Sequence, residues 1–229
     1  MQPKAWSISS LTDFTNCPKA YYEKRIAKSV VEEQGDAAAW GDYVHKEFEK
    51  YLKSESLAHA VPSHTLPDDL RQYTSYLQSI AAMNGAHHYE CKYAINSKME
   101  PCEFFDPDVW CRGIIDVLVI DGEVARIIDH KTGKRKPGSL QLQLNALLVM
   151  IHHPDVQVVE TAYFWLKDKK LDPESFIRTD YAKLWNDFLP QLRPYMVAHQ
   201  KEVFVPRPSG LCNGWCPVKQ CEYWKPKRS

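Results

Sequence analysis

Apolar and polar positions alternate in two different ways along the chain, and the first half is helical. Ser7 to Ser10 can cap a helix over "LTDFTNCPKAYYEKRIAK", in which Pro18 is expected to begin a second helical piece. From Asp36 to Lys53, apolar residues recur every three or four positions, which predicts an amphipathic helix. Another helix is predicted after the polar stretch "SHTLPDD", with Leu70 and Leu77 on its apolar face.

The middle of the chain has the pattern of β-strands. "HHYECKYAI" alternates and is rich in aromatic residues, and "GIIDVLVI" and "EVARIIDHK" flank Asp121-Gly122, a strong hairpin signal. "SLQLQLNALLVMIHH" then predicts a buried helix, "VQVVETAYFWL" a strand, and the segment from about Tyr181 to Gln200 a single helix. Helices on both sides of a strand block predict an α/β fold, with a mixed central sheet flanked by helices.

Composition describes an ordinary globular chain without a strong electrostatic bias. The 229 residues are 44% hydrophobic, with 29 basic and 29 acidic side chains, which suits one domain over residues 1–229. A zero formal charge argues against a general binder of polyanions. Nucleic-acid contacts must then come from local patches, for which Lys134, Arg135 and Lys136 are candidates. The alternative for these three is a solvated basic run.

The location of the chain is predicted from its N-terminus and its cysteines. "MQPKAWSISS" contains no apolar signal region, and no later stretch approaches the roughly 20 apolar residues of a membrane span. Seven cysteines without a secretion signal favour a reducing compartment, in which thiols stay free or bind metal. We therefore expect a cytoplasmic protein that does not contact a membrane.

The stretch "IIDHKTGKRK" carries charges into a strand that is otherwise apolar. Asp129 and Lys131 are two positions apart, so they share one face, and the hairpin brings Asp116 onto the neighbouring strand. Two carboxylates and a lysine on a half-buried surface suit Mg²⁺ or Mn²⁺, which activates water and neutralises charge on a phosphate. The alternative is a buried Asp–Lys ion pair that only stabilises the hairpin.

The order of these motifs resembles a known family. "GIIDVLVIDGEVARIIDHKTGK" followed by "LQLQLNALL" is similar to the core of the PD-(D/E)xK nucleases, and especially to the RecB-like exonucleases, which include the AddB nuclease domain and the CRISPR-associated adaptation nucleases. The resemblance implies a restriction-endonuclease-like fold. It matches Asp116 to the first acid, Asp129 and Lys131 to the second acid and lysine, and Gln141 to the glutamine of Q-x-x-x-Y. Asn145 stands where that motif has tyrosine.

The same resemblance implies a metal shell and roles for its members. "GDYVH" supplies His45 in a G-x-x-x-H motif, whose alternative is a packed core histidine. Asp116, Asp129 and His45 are then expected to hold Mg²⁺ or Mn²⁺, helped by the main-chain carbonyl of His130. Glu90 in "YECKY" is a further candidate ligand, and a solvated glutamate is its alternative. In that scheme Lys131 assists the attacking water and Gln141 orients the lysine or a phosphate.

Three cysteines near the C-terminus have metal-ligand spacing. Cys212, Cys216 and Cys221 form C-x3-C-x4-C, and Cys17 could be the fourth ligand. This resembles the iron–sulfur members of the branch, which use one N-terminal cysteine and three C-terminal ones spaced C-x2-C-x5-C; here the middle cysteine is displaced by one position. The resemblance implies a 4Fe–4S cluster joining residues 1–35 to residues 203–229. Zinc is the alternative metal, and a merely buried Cys17 is the alternative without one.

These features together predict a metal-dependent DNA exonuclease. The expected substrate is single-stranded DNA or DNA ends, in phage or mobile-element recombination, repair or replication, and a recombination or replication protein is the expected partner. Two alternatives stay open. One is a DNA-binding or spacer-adaptation-like protein that keeps the fold and does not cut. The other is a metal-stapled interaction protein in which the Asp–Lys pair is structural.

Overall fold

The computed structural model describes residues 5–31, 34–57, 64–135 and 140–226. Two compact units make up the chain. The terminal unit is drawn from Met1–Gln34 and Asn186–Ser229, and the sheet unit from Gly35–Trp185. Within the described ranges, no helix combines the length and apolar character needed to cross a lipid bilayer.

A six-stranded mixed sheet forms the centre of the sheet unit, in the order β2-β1-β3-β4-β5-β6. All neighbours are antiparallel except the parallel pair β4 and β5. The strands are β1 (Ala86–Asn96), β2 (Pro101–Cys102), β3 (Val109–Asp121), β4 (Val124–Lys131), β5 (Val158–Trp165) and β6 (Lys170–Ile177). The helices are α3 (Asp36–Leu57), α4 (Thr74–Ala81), α5 (Leu140–His152) and α6 (Tyr181–Asn186).

The two faces of the sheet are covered by different helices. On one face, Phe48 of α3 and Leu77 of α4 belong to the same buried cluster as Val117 of β3. On the other face, Val149 of α5 is clustered with Leu118 of β3. Burying each such side chain contributes about 1.5–3 kcal/mol, so both layers stabilise the sheet strongly. The predicted α/β fold, a mixed sheet flanked by helices, is confirmed.

The hairpin between β3 and β4 was predicted from the sequence, whereas strand β6 was not. The hairpin at Asp121-Gly122 is confirmed, because Asp121 pairs with Val124 and Gly122 has a φ of 59°, which suits glycine. Strand β6 was not predicted. It is an edge strand with mostly exposed positions, and Pro173, which lacks an N–H, is tolerated at an edge.

The terminal unit consists of short helices and a long irregular C-terminal segment. The helices are α1 (Ile8–Asn16), α2 (Pro18–Tyr21), continued by a π-helical turn at Tyr22–Ile26, and α7 (Leu189–Lys201). Ser7 caps α1 and Pro18 begins α2, as predicted. Rings of Phe14, Tyr21 and Tyr195 pack edge to face, and the hydroxyls of the two tyrosines lie 2.8 Å apart.

The prediction of one helix over about residues 181–200 was wrong. The segment forms α6 and α7, which are separated at Asp187 and Phe188. Pro190 lies in the first turn of α7. Because proline has no N–H to bond the preceding turn, Pro190 fits at the start of a helix; Pro194, inside α7, costs that helix one main-chain hydrogen bond.

Candidate active site

Strand β1 is irregular at Glu90. This residue has a φ of 51°, in the left-handed region that residues other than glycine rarely adopt. Its neighbours Tyr89 and Cys91 are two positions apart, yet Tyr89 packs on the α3–α4 side of the sheet and Cys91 on the α5 side. The register with β3 is unchanged across Glu90, since Tyr89 pairs with Val117 and Cys91 with Ile115. The left-handed backbone therefore changes the face on which the following side chains lie without inserting an extra residue.

Strand β3 has a matching irregularity at Asp116. Ile115 faces α5, whereas Val117, two positions later, faces α3 and α4. The ladder between β3 and β4 ends at Val117 and Ile128, one step before Asp116. Instead of a strand carbonyl, the Oδ2 atom of Asp116 accepts the main-chain N–H of His130 at 2.7 Å. The carboxylate is thus held where the two strands separate.

His45 of α3 meets both carboxylates. Its Nδ1 atom lies 3.3 Å from Oδ2 of Asp116 and 3.7 Å from Oε1 of Glu90. The three ligand atoms lie within 4.8 Å of one another, and in the described part of the chain no other set of three acidic, histidine or cysteine side chains does so. Gly41, one turn before His45, lies where a Cβ would come within 3.3 Å of the Thr132 hydroxyl. Its lack of a side chain lets α3 approach the end of β4.

The electrostatics of this trio favour a positive charge at its centre. Burial disfavours the charged form of His45, but its hydrogen bonds to Asp116 and Glu90 outweigh burial and raise its pKa to about 10. Burial also opposes the charge on Asp116, and His45 more than compensates, so the pKa of Asp116 is lowered. A divalent cation would satisfy the same two carboxylates. Two carboxylates and one imidazole fit Mg²⁺ or Mn²⁺, and the side chains are partly open to solvent.

Beside the trio, a second group of polar side chains is formed by Asp129, Lys131 and Gln141, each of which contacts the other two. Lys131 Nζ lies 2.6 Å from Asp129 Oδ1 and donates to Gln141 Oε1 at 2.9 Å. Gln141 Nε2 donates to Asp129 Oδ2 at 2.5 Å. Burial and the charge of Asp116 raise the pKa of Asp129 to about 7, although Lys131 acts against them. The oxygens of Asp129 thus contact Lys131 and Gln141, and Asp129 is not part of the trio that lies within 4.8 Å.

His130 points away from these residues. Its ring is 2% exposed, lies edge-on to Phe48 with centroids 5.0 Å apart, and its Nε2 atom is 3.0 Å from the Tyr76 hydroxyl. Burial lowers the pKa of His130 to about 4, so the ring is neutral. The ligand role of its main-chain carbonyl stays a prediction. Tyr76, which the sequence did not single out, stacks on Phe164 with centroids 3.7 Å apart; nothing in a helical apolar pattern distinguishes such a residue.

The remaining predicted residues of the sheet unit are placed apart from the trio. Lys134 is exposed, Arg135 pairs with Asp172 of β6 through Nε and Oδ2 at 2.7 Å, and Lys136 lies outside the described residues. Asn145, at the position where the family motif has tyrosine, is 2% exposed and lies against Gly113 of β3. It is therefore a packing residue of α5 and does not face solvent.

In the terminal unit, Cys17, Cys212, Cys216 and Cys221 line one pocket. In the described ranges, no three of their sulfurs lie within 4.8 Å of one another. The main-chain N–H of Arg207 donates to Cys17 Sγ at 3.4 Å, and a second N–H reaches Cys212 Sγ at 3.5 Å. Burial raises the pKa of Cys216. The segment thus brings the N-terminal cysteine and the three C-terminal ones to a common space.

Comparisons with known proteins agree with this architecture. The sequence model of the PD-(D/E)XK nuclease superfamily matches residues 5–221. The crystal structure of a "Putative exonuclease" from Eubacterium rectale has a TM-score of 0.51 at 13% identity, covering 96% of this chain and 86% of its own. The crystal structure of SSO0001 has a TM-score of 0.49 at 14% identity, covering 97% and 87%. Likeness at such identities concerns the fold. No curated protein sequence matches the chain.

Proposed function

The chain belongs to the PD-(D/E)XK nuclease superfamily, and from that premise we propose that it is a metal-dependent deoxyribonuclease. The observation that carries this proposal is the convergence of His45, Glu90 and Asp116 within 4.8 Å, beside a lysine held on the next strand. A purely structural ion pair would need Asp129 and Lys131 alone. It gives no reason for two further carboxylates and an imidazole to meet next to them.

His45, Glu90 and Asp116 are the residues that would hold Mg²⁺ or Mn²⁺. In the proposal, Asp129 and the main-chain carbonyl of His130 complete the shell, and the nearness of Asp129 is supported by the effect of Asp116 on its pKa. The bound cation would activate a water molecule and neutralise the charge that develops on the phosphate. Glu90 is a better candidate ligand than its sequence context indicated, because the left-handed backbone directs its side chain to His45.

Lys131 and Gln141 position groups around the phosphodiester. Lys131 keeps a positive charge at the open edge of the site, where it would orient the attacking water or stabilise the negative phosphate oxygens. Gln141 donates to Asp129 and accepts from Lys131, so one amide fixes both side chains at once. Positioning of this kind lowers the entropy that must be lost on reaching the transition state.

The finer features of the substrate rest on the sequence resemblance. It extends the proposal to single-stranded DNA or DNA ends as substrate, and to an exonuclease of phage or mobile-element recombination, repair or replication. A protein partner from one of these processes belongs to the same extension. We treat residues 1–229 as one nuclease in the functional sense, with residues 1–35 and 203–229 forming its cysteine region.

For the cysteine pocket we propose a 4Fe–4S cluster. A single tetrahedral zinc ion, with Zn–S distances of about 2.3 Å, would draw its thiolates to within about 4 Å of one another. The four cysteines line one pocket, and in the described ranges no three of their sulfurs lie within 4.8 Å of one another, which supports a group larger than one zinc ion. The main-chain N–H bonds to Cys17 and Cys212 add support, since such bonds stabilise thiolates and tune iron–sulfur clusters. Zinc is the second candidate.

The decisive experiment is digestion of end-blocked single- and double-stranded DNA, labelled at either the 5′ or the 3′ end, with Mg²⁺ or Mn²⁺ and with EDTA. We expect metal-dependent hydrolysis of single strands that stops in EDTA and slows when both ends are blocked. Binding without cleavage in every metal would support the non-cleaving alternative. A protein that neither binds DNA nor takes up a divalent cation would support the interaction protein.

A further inference from the structure

Beyond Glu90 and Asp116, strands β1 and β3 continue with exposed or half-exposed side chains on one face. Tyr93 of β1 packs on the α5 side, and a Cβ on Gly113 of β3 would meet side chains of α5. The residues between them in the alternation, Lys92, Arg112 and Ile114, therefore face the other side, which is the side of His45. Ile114 is 40% exposed there.

An aromatic and cationic group occupies this face. The loop between β2 and β3 carries Phe104 and Phe105, and the Phe105 ring is 77% exposed. Lys92 Nζ lies 5.9 Å from the centroid of each ring, and the Arg112 guanidinium carbon lies 5.0 Å from Phe104 and 5.9 Å from Phe105. Arg112 Nη1 also donates to the Phe104 carbonyl at 3.2 Å. We name Lys92, Phe104, Phe105 and Arg112 the stacking patch.

The two cations of the stacking patch, Lys92 and Arg112, lie on the same strands as Glu90 and Asp116. Arg112 is four residues from Asp116 along β3, which is about 13 Å at the rise of a strand. The exposed Ile114 lies between them, so no charged side chain of opposite sign interrupts the path along β3. A few nucleotides of an extended strand could cover this distance.

Resting on the proposed function, we propose that the stacking patch binds unpaired nucleotides of the DNA strand whose phosphodiester lies at His45, Glu90 and Asp116. Phe105 stacks on an exposed base, and Lys92 and Arg112 contact the neighbouring phosphates. Any base has a face that can stack, so such a patch is tolerant of sequence. The bases of an intact duplex already stack on one another, so the patch selects single-stranded DNA.

The two cations beside the exposed ring favour a nucleic acid over an apolar partner, although the same loop also carries Glu103, Asp106 and Asp108. The chain has no net charge, so phosphate binding must come from local groups, and two cations flank an exposed ring here. Cation–π contacts could instead serve only to hold the loop, which at exposed sites is a weak effect. That role requires Arg112 over Phe104, but it does not require Phe105 to be exposed.

The test measures DNA binding by variants of Phe105. Phe105→Ala and Phe105→Leu remove the ring, and the second keeps apolar character, whereas Phe105→Tyr keeps a ring that can stack. Leu171→Ala is the matched control, because Leu171 is 51% exposed on β6. Binding of a fluorescent single-stranded oligothymidylate in EDTA is measured by anisotropy. We expect the Ala and Leu variants to bind about 5- to 100-fold more weakly, with the Tyr variant and the control close to wild type.

A second variant addresses the phosphate contacts. Lys92→Gln should reduce the slope of log affinity against log salt by about one. Single-strand binding and cleavage by Phe105→Ala and Phe105→Leu that equal those of the wild type would overturn the stacking patch and leave the nuclease proposal standing. An equal loss of binding to blunt duplex would also overturn it. A wild-type protein that neither binds nor cuts DNA would overturn both proposals.

Discussion

The chain contains two candidate metal sites that are built in opposite ways. In the sheet unit, His45, Glu90 and Asp116 come from one helix and two paired strands, and the helix and the strand ladder hold them in place. In the terminal unit, three of the four cysteines lie in a segment whose described residues form one short helical turn, Gly210–Cys212. A few contacts hold that segment, such as Lys225 N–H to the Cys212 carbonyl at 2.8 Å.

The difference indicates what each site requires of its metal. The sheet site is assembled by packing on both faces of a buried sheet, so its geometry exists before a cation binds. Most large apolar side chains of the cysteine segment stay exposed, such as Leu211 and Trp215, and for segments that bury little apolar surface the metal-binding free energy is largely folding free energy. Loss of the cation should therefore stop chemistry in the first region while the fold persists, and loosen the chain in the second.

The largest effect is expected from Asp116→Asn. The amide oxygen can still accept the His130 N–H, but one of two carboxylate charges is lost from the proposed cation site. We expect single-strand cleavage to fall at least about 10³-fold, since the cation contributes several kcal/mol to the transition state. The melting temperature should stay within a few degrees. Cleavage within tenfold of wild type would contradict the rigid metal site.

Lys131→Ala should have the next largest effect. Removal of the ammonium takes away a charge that stabilises the phosphate, for which a loss of about 10²- to 10³-fold in kcat is typical. The pKa of Asp129 should rise further, because Lys131 now lowers it, and protonation then lets the buried carboxyl stay in the fold. Single-turnover cleavage and thermal melting measure the two effects. The control is Lys98→Ala in the exposed turn after β1, which should leave both unchanged. Undiminished cleavage by Lys131→Ala would falsify its role.

Cys216→Ser tests the other half of the comparison. We expect loss of iron and of absorbance near 400 nm, about 4 kcal/mol of destabilisation, and rapid proteolysis of the C-terminal segment. At about 4–8 °C per kcal/mol for a unit of this size, the melting temperature of the terminal unit should fall by roughly 16–32 °C. Cys102→Ser, outside the pocket, is the control. A colourless wild-type protein with one zinc per chain would exclude iron and leave zinc as the metal of the cysteine pocket. A wild-type protein that contains no metal and is as stable as Cys216→Ser would contradict both the iron–sulfur and the zinc proposals.

Much of the fold could be predicted from residue patterns. The helix from Asp36, the hairpin at Gly122 and the buried helix from Leu140 each carry a periodic or turn signal that does not depend on distant residues. Edge strand β6 carries only a weak signal, since most of its positions are exposed and only a few, such as Phe176, pack against the core. The break between α6 and α7 comes just before Pro190, and it was missed because the spacing of apolar residues continues across it.

The site was predicted less completely for a geometric reason. Asp116, Asp129 and Lys131 follow from alternation along paired strands. Of these, Asp129 and Lys131 are in contact at 2.6 Å, whereas Asp116 is grouped with His45 and Glu90. That Glu90 lies beside His45 as Asp116 does could not be predicted, because no sequence pattern indicates a glutamate with left-handed backbone inside a strand. That Asp129 contacts Lys131 and Gln141 likewise depends on how closely α5 packs against the sheet.

This close packing of α5 gives the smallest prediction, Gly113→Ala. A Cβ at this position would lie 3.0 Å from Leu148 Cδ1 and 3.1 Å from Asn145 Oδ1, so α5 or its side chains must shift by a few tenths of an ångström. Overpacking of this kind costs about 1–2 kcal/mol, or a fall of roughly 2–8 °C in melting temperature. Because α5 also carries Gln141, cleavage should fall by less than about tenfold.

The matched control for this variant is Gly35→Ala, where a Cβ would meet no atom within 4 Å. Melting curves and initial rates of single-strand cleavage are compared for both variants and the wild type. If Gly113→Ala abolished cleavage without lowering stability, the site would depend on α5 far more sensitively than a rigid sheet implies, and the contrast with the cysteine segment would weaken. If it changed neither quantity, α5 would have room to move, and the position of Gln141 would not be fixed by packing. A modest loss of both is the result that a site organised by the fold requires.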